Sequence, residues 1–170
     1  MNSKRSINEN SLVKVRFYVG DEKWHHVESE SVWAEMVENN IYRIRNTPFY
    51  VKGISFEDLV TVKEMGGILF FNSVFKHSGH STYRVMMPIP SEENKGLKEK
   101  FIEYWKPLES VGCSYESTKI GRIDFYAIDV PPEANIYHVY DLLMLGENDH
   151  IWDFEEGHCG HLNNQDISLN

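Results

Sequence analysis

The sequence predicts an α+β fold in which a small antiparallel sheet or partly open barrel precedes a β-α-β-β-α-β unit, and three observations carry the prediction. As far as His77 the chain reads as short alternating runs separated by Asn and Gly turns. Beyond it, strand-like runs are interleaved with two amphipathic helical stripes. A length of 170 residues suffices for two subdomains sharing a core, with roughly 70% of the unfolded surface buried.

From Leu12 to Val19 the apolar residues Val13, Val15, Phe17 and Val19 alternate with Lys14, Arg16 and Tyr18, the pattern of a half-buried strand. Runs at 31–38 and 41–45 meet across Asn39-Asn40, which tolerates the positive φ of a two-residue turn. Gly66-Gly67 joins 59–63 to the apolar run 68–75 in the same way, and a turn is expected near Ser55 to Asp58. Thr82 to Met87 reads as a strand stopped by Pro88 and Pro90. Ser91, Glu92, Glu93 and Asn94 then open a helix whose buried stripe is Leu97, Phe101, Tyr104, Trp105 and Leu108. Pro107 is expected to kink or end it near Lys106, and Gly112 to close the segment.

Strands are predicted at 113–118 and 122–130, the second stopped by Pro131-Pro132. A second helix carries Ile136, Val139, Tyr140 and Leu143, with Asn135 as its N-cap and Gly146 at its end. The last strand is 150–156, with Trp152 and Phe154 on its buried side. The order from Thr82 is that of a ferredoxin-like unit. The domain reading is an antiparallel β subdomain at 11–78 and a ferredoxin-like α+β subdomain at 79–161, with tails at 1–10 and 162–170.

Asp and Glu number 26 against 17 Lys and Arg, a net charge of -9, which repels phosphate backbones and favours a basic protein as partner over nucleic acid. The start has no apolar leader and no stretch is long and apolar enough for a membrane span, so the expectation is a cytoplasmic protein with no membrane partner. Cys113 and Cys159 are far apart and outside any C-x-x-C pattern, which indicates neither a redox motif nor a disulfide framework.

The segments SVWAE, YRIRNTPFY, SGHSTYRV, PLESVGCSYE, YAIDVPPEA and WDFEEGHCGH, spread from Ser31 to His161, resemble a family of short bacterial proteins known only as a domain of unknown function. The resemblance implies a stand-alone bacterial chain and supplies no reaction. By analogy with other small families of this kind, it suggests an immunity protein of a toxin system.

Candidate chemistry concentrates in Ile151 to His161 and in His77 to His80. His77 or His80 with His158, Cys159 or His161 would make a four-ligand zinc site if loops bring them together, with Asp153 or Glu155 orienting a ring. The spacing matches no standard zinc module, and the competing reading is that these histidines, with Ser78, Ser81 and Thr82, join the two subdomains by hydrogen bonds while the glycines serve tight turns. Cys159 is a candidate nucleophile only if His80 or His161 acts as base, since His158 beside it points to the other side of an extended chain. Asp153 and Glu155 share a strand face and need a cation such as Arg84, yet the first and last strands of the unit are expected on opposite flanks. The aromatics Trp24, Trp33, Tyr42, Phe49 and Tyr50 have no basic groove in the sequence to support base stacking.

The leading functional expectation is a non-enzymatic protein-binding protein, most concretely an immunity protein that covers the active surface of a basic toxin, a nuclease being one candidate. Its partner-facing residues would be Trp152, Asp153, Glu155 and Glu156, with no cofactor. The alternatives are a metal-dependent or thiol enzyme built on the two histidine segments, with zinc as cofactor, and a small-ligand sensing module.

Overall fold

The computed structural model describes residues 11–20, 26–92 and 95–161. The expected tails at 1–10 and 162–170, Trp24, and Glu93 and Asn94 lie outside these. Alternation does its work first in β1 (Val13–Tyr18), where Val15 and Phe17 turn inward and Lys14, Arg16 and Tyr18 outward. β1 pairs with β2 (Ser29–Glu38), which turns at Asn40 (φ 66°) into β3 (Ile41–Ile44). β4 (Leu59–Met65) follows, then β5 (Ile68–Lys76) across Gly66 and Gly67, whose φ values of 59° and 78° suit a hairpin turn. The five strands form a closed barrel, the closure being a short parallel pairing of Val15 with Leu69 and Arg16 with Phe70. Its core is Val15, Phe17, Val32, Ala34, Ile44, Val60 and Val62.

The second sheet contains β6 (Ser81–Met86), β7 (Ser114–Ile120), β8 (Ile123–Val130) and β9 (Asp153–Cys159), in the order β7-β8-β6-β9 and antiparallel throughout. Helices α1 (Leu97–Ser110) and α2 (Ile136–Asn148) cover one face, packing Phe101, Trp105, Leu108, Val139 and Leu143 on Tyr83, Val85, Ile128 and Val130. The fold is α+β with two sheets, and no described helix is long and apolar enough to cross a membrane.

Three expectations are corrected. α1 begins at Leu97 rather than Ser91, because Gly96 takes a left-handed φ of 80° as N-cap. Pro107 lies inside α1, on the exposed side one turn after exposed Glu103, so the carbonyl it leaves unpaired faces water. The helix instead ends at Gly112 (φ 92°), where the N–H groups of Gly112 and Cys113 donate to the carbonyls of Glu109 and Leu108. Gly146 does not end α2: His150 (φ 57°) takes the left-handed position, and the N–H groups of His150 and Ile151 close the helix on Glu147 and Gly146. Asn135 caps its start, accepting from the N–H groups of Tyr137 and His138.

Candidate functional site

The face of the second sheet away from the helices meets the barrel, and β6 presents Thr82 and Arg84 there. Thr82 Oγ1 and Ser55 Oγ are 2.8 Å apart. Arg84 is 0% exposed. Its Nη2 donates to the carbonyls of Tyr50 and Val51, both at 2.7 Å, and its Nη1 to Glu155 Oε1 at 2.6 Å. The first and last strands of the unit are therefore neighbours, contrary to the opposite-flank expectation, because β6 lies between β8 and β9. The 49–51 loop that receives Arg84 is held in turn by Glu30, whose carboxylate accepts the N–H groups of Phe49, Tyr50 and Val51.

β9 also runs further than predicted, to Cys159, and it is irregular. Tyr83 faces Glu156 but Thr82 faces His158, so Gly157 is an extra residue in the ladder. Its carbonyl accepts from Gly53 N of the barrel at 3.0 Å. The bulge has a decisive effect on orientation: strict alternation would turn His158 away from Glu155, whereas the extra residue turns both toward the barrel, opposite Thr82 and Arg84.

His158 thereby reaches His77 and Asp58. The two imidazoles stack with centroids 4.5 Å apart, and His77 Nδ1 is 3.1 Å from Asp58 Oδ2. One ligand-type atom from each of Asp58, His77 and His158 lies within 4.8 Å of the other two. Asp58 is fully buried and held in advance: Oδ1 accepts from Ser78 N and Ser78 Oγ, and Oδ2 accepts from Ser55 N. His158 Nε2 is buried and has no hydrogen-bond partner. Burial, and then the neighbouring His77, hold the His158 imidazole below its ordinary pKa, with Asp58 opposing.

The remaining predicted ligands go elsewhere. His80 Nδ1 pairs with Asp129 at 2.8 Å; burial lowers its pKa, but the hydrogen bond and charge of Asp129, with Glu57 and Glu133, outweigh that and leave it raised. Both nitrogens of His161 are engaged, Nδ1 with Ser81 Oγ at 2.7 Å and Nε2 with the Pro131 carbonyl at 3.1 Å. Cys159 is a free, half-buried cysteine. Cys113 is buried, and burial pushes its thiol up to about 12.

The acidic docking face is also corrected. Trp152 is only 1% exposed: it packs against α2, with Nε1 donating to the Leu143 carbonyl at 3.0 Å. Glu155 is committed to Arg84. Asp153 and Glu156 are exposed, but their register partners, Met86 and Tyr83, lie on opposite faces of β6. These residues do not form one acidic row around an aromatic anchor.

A profile described as "Domain of unknown function (DUF4265)" matches residues 30–154, from β2 into β9. The chain belongs to that family. The DUF4265 match takes in Asp58 and His77 and stops short of His158. A solved structure, described as a hypothetical protein from Neisseria gonorrhoeae, superposes with a TM-score of 0.68 at 18% identity, covering 89% of this chain and 97% of that one, and so shares the fold. No curated protein matches the sequence.

Asp58 is the site residue that sequence reasoning misses in this DUF4265 chain. The signal was present in Ser55-Phe56-Glu57-Asp58, a serine followed three residues later by an acid, where Ser55 N donates to the Asp58 carboxylate. His77 also borders a polar cleft of about 290 Å³, lined by Arg43, Glu57, Leu59, Lys76, Ser78 and His80. Of the three clustered residues, His77 is the one that lines this cleft.

Proposed function

We propose that the protein binds a divalent first-row metal ion through Asp58, His77 and His158, and that this centre is the seat of its function. The observation that carries the reading is the buried, unpartnered Nε2 of His158 beside a preorganised carboxylate and a second imidazole. Leaving such an atom unpaired costs about 1–3 kcal/mol, which a bound cation would offset. Two imidazoles and a carboxylate suit zinc, iron(II) or manganese, and three protein donors leave a coordination position for water or a substrate. An ion there would exchange the His77–Asp58 hydrogen bond for coordination. It would also lower the pKa of a bound water, the chemistry of metal-assisted hydrolysis. Of the five ligands considered from sequence, this reading retains His77 and His158 and adds Asp58. The strand order and connections of the second sheet support reading it as a ferredoxin-like unit on which β6 and β9 carry half of the seam.

The test is metal content after purification without chelators, followed by zinc, manganese and iron(II) titration of chelator-treated protein. Stoichiometric binding that is lost in His77→Gln and His158→Gln, but retained in His80→Gln and Cys159→Ser, is the expected result. Folded protein that takes up no ion at micromolar excess, or uptake indifferent to His158, would overturn the proposal. Asp58→Asn is a poor probe, because the carboxylate also organises the 55–58 and 77–78 turns.

A further inference from the structure

The outer wall of the barrel carries a feature that the net charge of -9 conceals. Inward burial of Val15 and Phe17 turns Lys14, Arg16 and Tyr18 outward on β1. Beside them, Lys14 pairs in register with Trp33 of β2, Arg16 with Phe70 of β5, and Phe70 with Lys63 of β4. The result is a continuous outer face of three cations and three aromatic rings. Tyr18 is 76% exposed and Trp33 43%. The Tyr18 and Phe70 rings stack at 5.7 Å, Arg16 sits 6.0 Å over Phe70, and Lys14 Nζ is 4.8 Å from the Trp33 ring centre. Ser29 and Ser31, facing Tyr18 and Arg16 across β2, bring no carboxylate into the face. The acid next along that row, Glu35, is drawn off by Arg45.

We infer that this face binds a single-stranded polynucleotide, with Tyr18 and Trp33 as stacking platforms and Lys14, Arg16 and Lys63 as phosphate contacts. Aromatic faces accept any base, and the interleaved cations supply what an apolar docking patch would lack. The whole-molecule charge does not veto it, since at physiological salt the field of acids beyond about 8 Å is largely screened. A duplex hides its base faces and gains nothing from Tyr18, which favours the single strand. An acidic polypeptide would satisfy the cations but leave both rings without planar partners.

The experiment is fluorescence anisotropy of the full chain with a labelled twelve-nucleotide oligothymidylate at several salt concentrations, with the matching duplex and polyglutamate as competitors. Three phosphate contacts predict a log–log salt slope of about -2. Tyr18→Ala and Trp33→Ala should each weaken binding about 5- to 150-fold, the range for one lost stack. The outer-face triple variant Lys14→Glu, Arg16→Glu, Lys63→Glu, in which Arg16 is half-buried and the two lysines exposed, should abolish binding while circular dichroism stays unchanged. Four results would each overturn the proposal: no binding at about 100 μM protein in low salt, the weak end of non-specific affinity, affinity indifferent to Tyr18 and Trp33, competition by duplex as strong as by single strand, or polyglutamate competing as well as the oligonucleotide, which would identify an acidic protein as the partner.

Discussion

Two glycines are constrained by close approach rather than by backbone conformation. A methyl group on Gly160 would overlap the carbonyl of His80, and one on Gly146 would overlap the indole of Trp152. Neither residue is among those with positive φ. Gly146→Ala should gain about 1 kcal/mol of helix propensity and lose about 1–3 kcal/mol to overpacking, because the hydrogen bond to Leu143 holds the indole in place. A fall in Tm of several degrees is expected on calorimetry, larger for Gly160→Ala, whose neighbour is backbone; an unchanged Tm in both variants would refute the packing argument. The sequence offers no trace of this role, since a glycine spared for a neighbour's ring and one spared for a turn read alike. Gly66, Gly67 and Gly112 were legible because turns and helix ends are local. Asp58 was half legible: its turn could be read, but its encounter with His77 and His158 depends on chain that is distant in sequence.

Strand boundaries were legible within a few residues wherever one face is buried, as in β1, because the period of two is itself the signal. The bulge at Gly157 was not, and it determines which side chains of β9 meet the barrel. β6 and β9 are then tied to the 50–51 loop chiefly by Arg84. Its Nε has no partner, so this buried cation already carries some desolvation cost. Arg84→Met should destabilise by about 3 kcal/mol, because it removes the buried hydrogen bonds to the Tyr50 and Val51 carbonyls and strips Glu155 of its counter-charge. The paired variant Arg84→Met, Glu155→Met should recover part of that loss. Urea denaturation of the single, the double and Glu155→Met gives the coupling energy, and additive losses would show that the ion pair does not join the strands.

At the scale of the whole molecule, His158 at the barrel–sheet seam and His80 and His161, hydrogen-bonded within the second subdomain, all change charge near neutrality, so stability should peak there. His161 is lowered from 6.5, mainly by burial, and protonating it would break its acceptor bond from Ser81. Below about pH 6.5 the unfolded chain takes up that proton before the native one, and stability falls with pH. His158 is lowered as well and adds to this acid limb. His80 has the opposite sign: its native pKa is raised above 6.5 by Asp129, so its contribution is full below 6.5 and is lost as pH rises through the native value. Thermal unfolding between pH 5.5 and 8, with chelator present so that no ion contributes, should therefore show a maximum Tm near about pH 6.5. His80→Gln should flatten the alkaline limb and leave the acid limb intact. A Tm that climbs steadily to pH 8 in the parent protein would mean that the His80–Asp129 pair contributes nothing to holding the structure together.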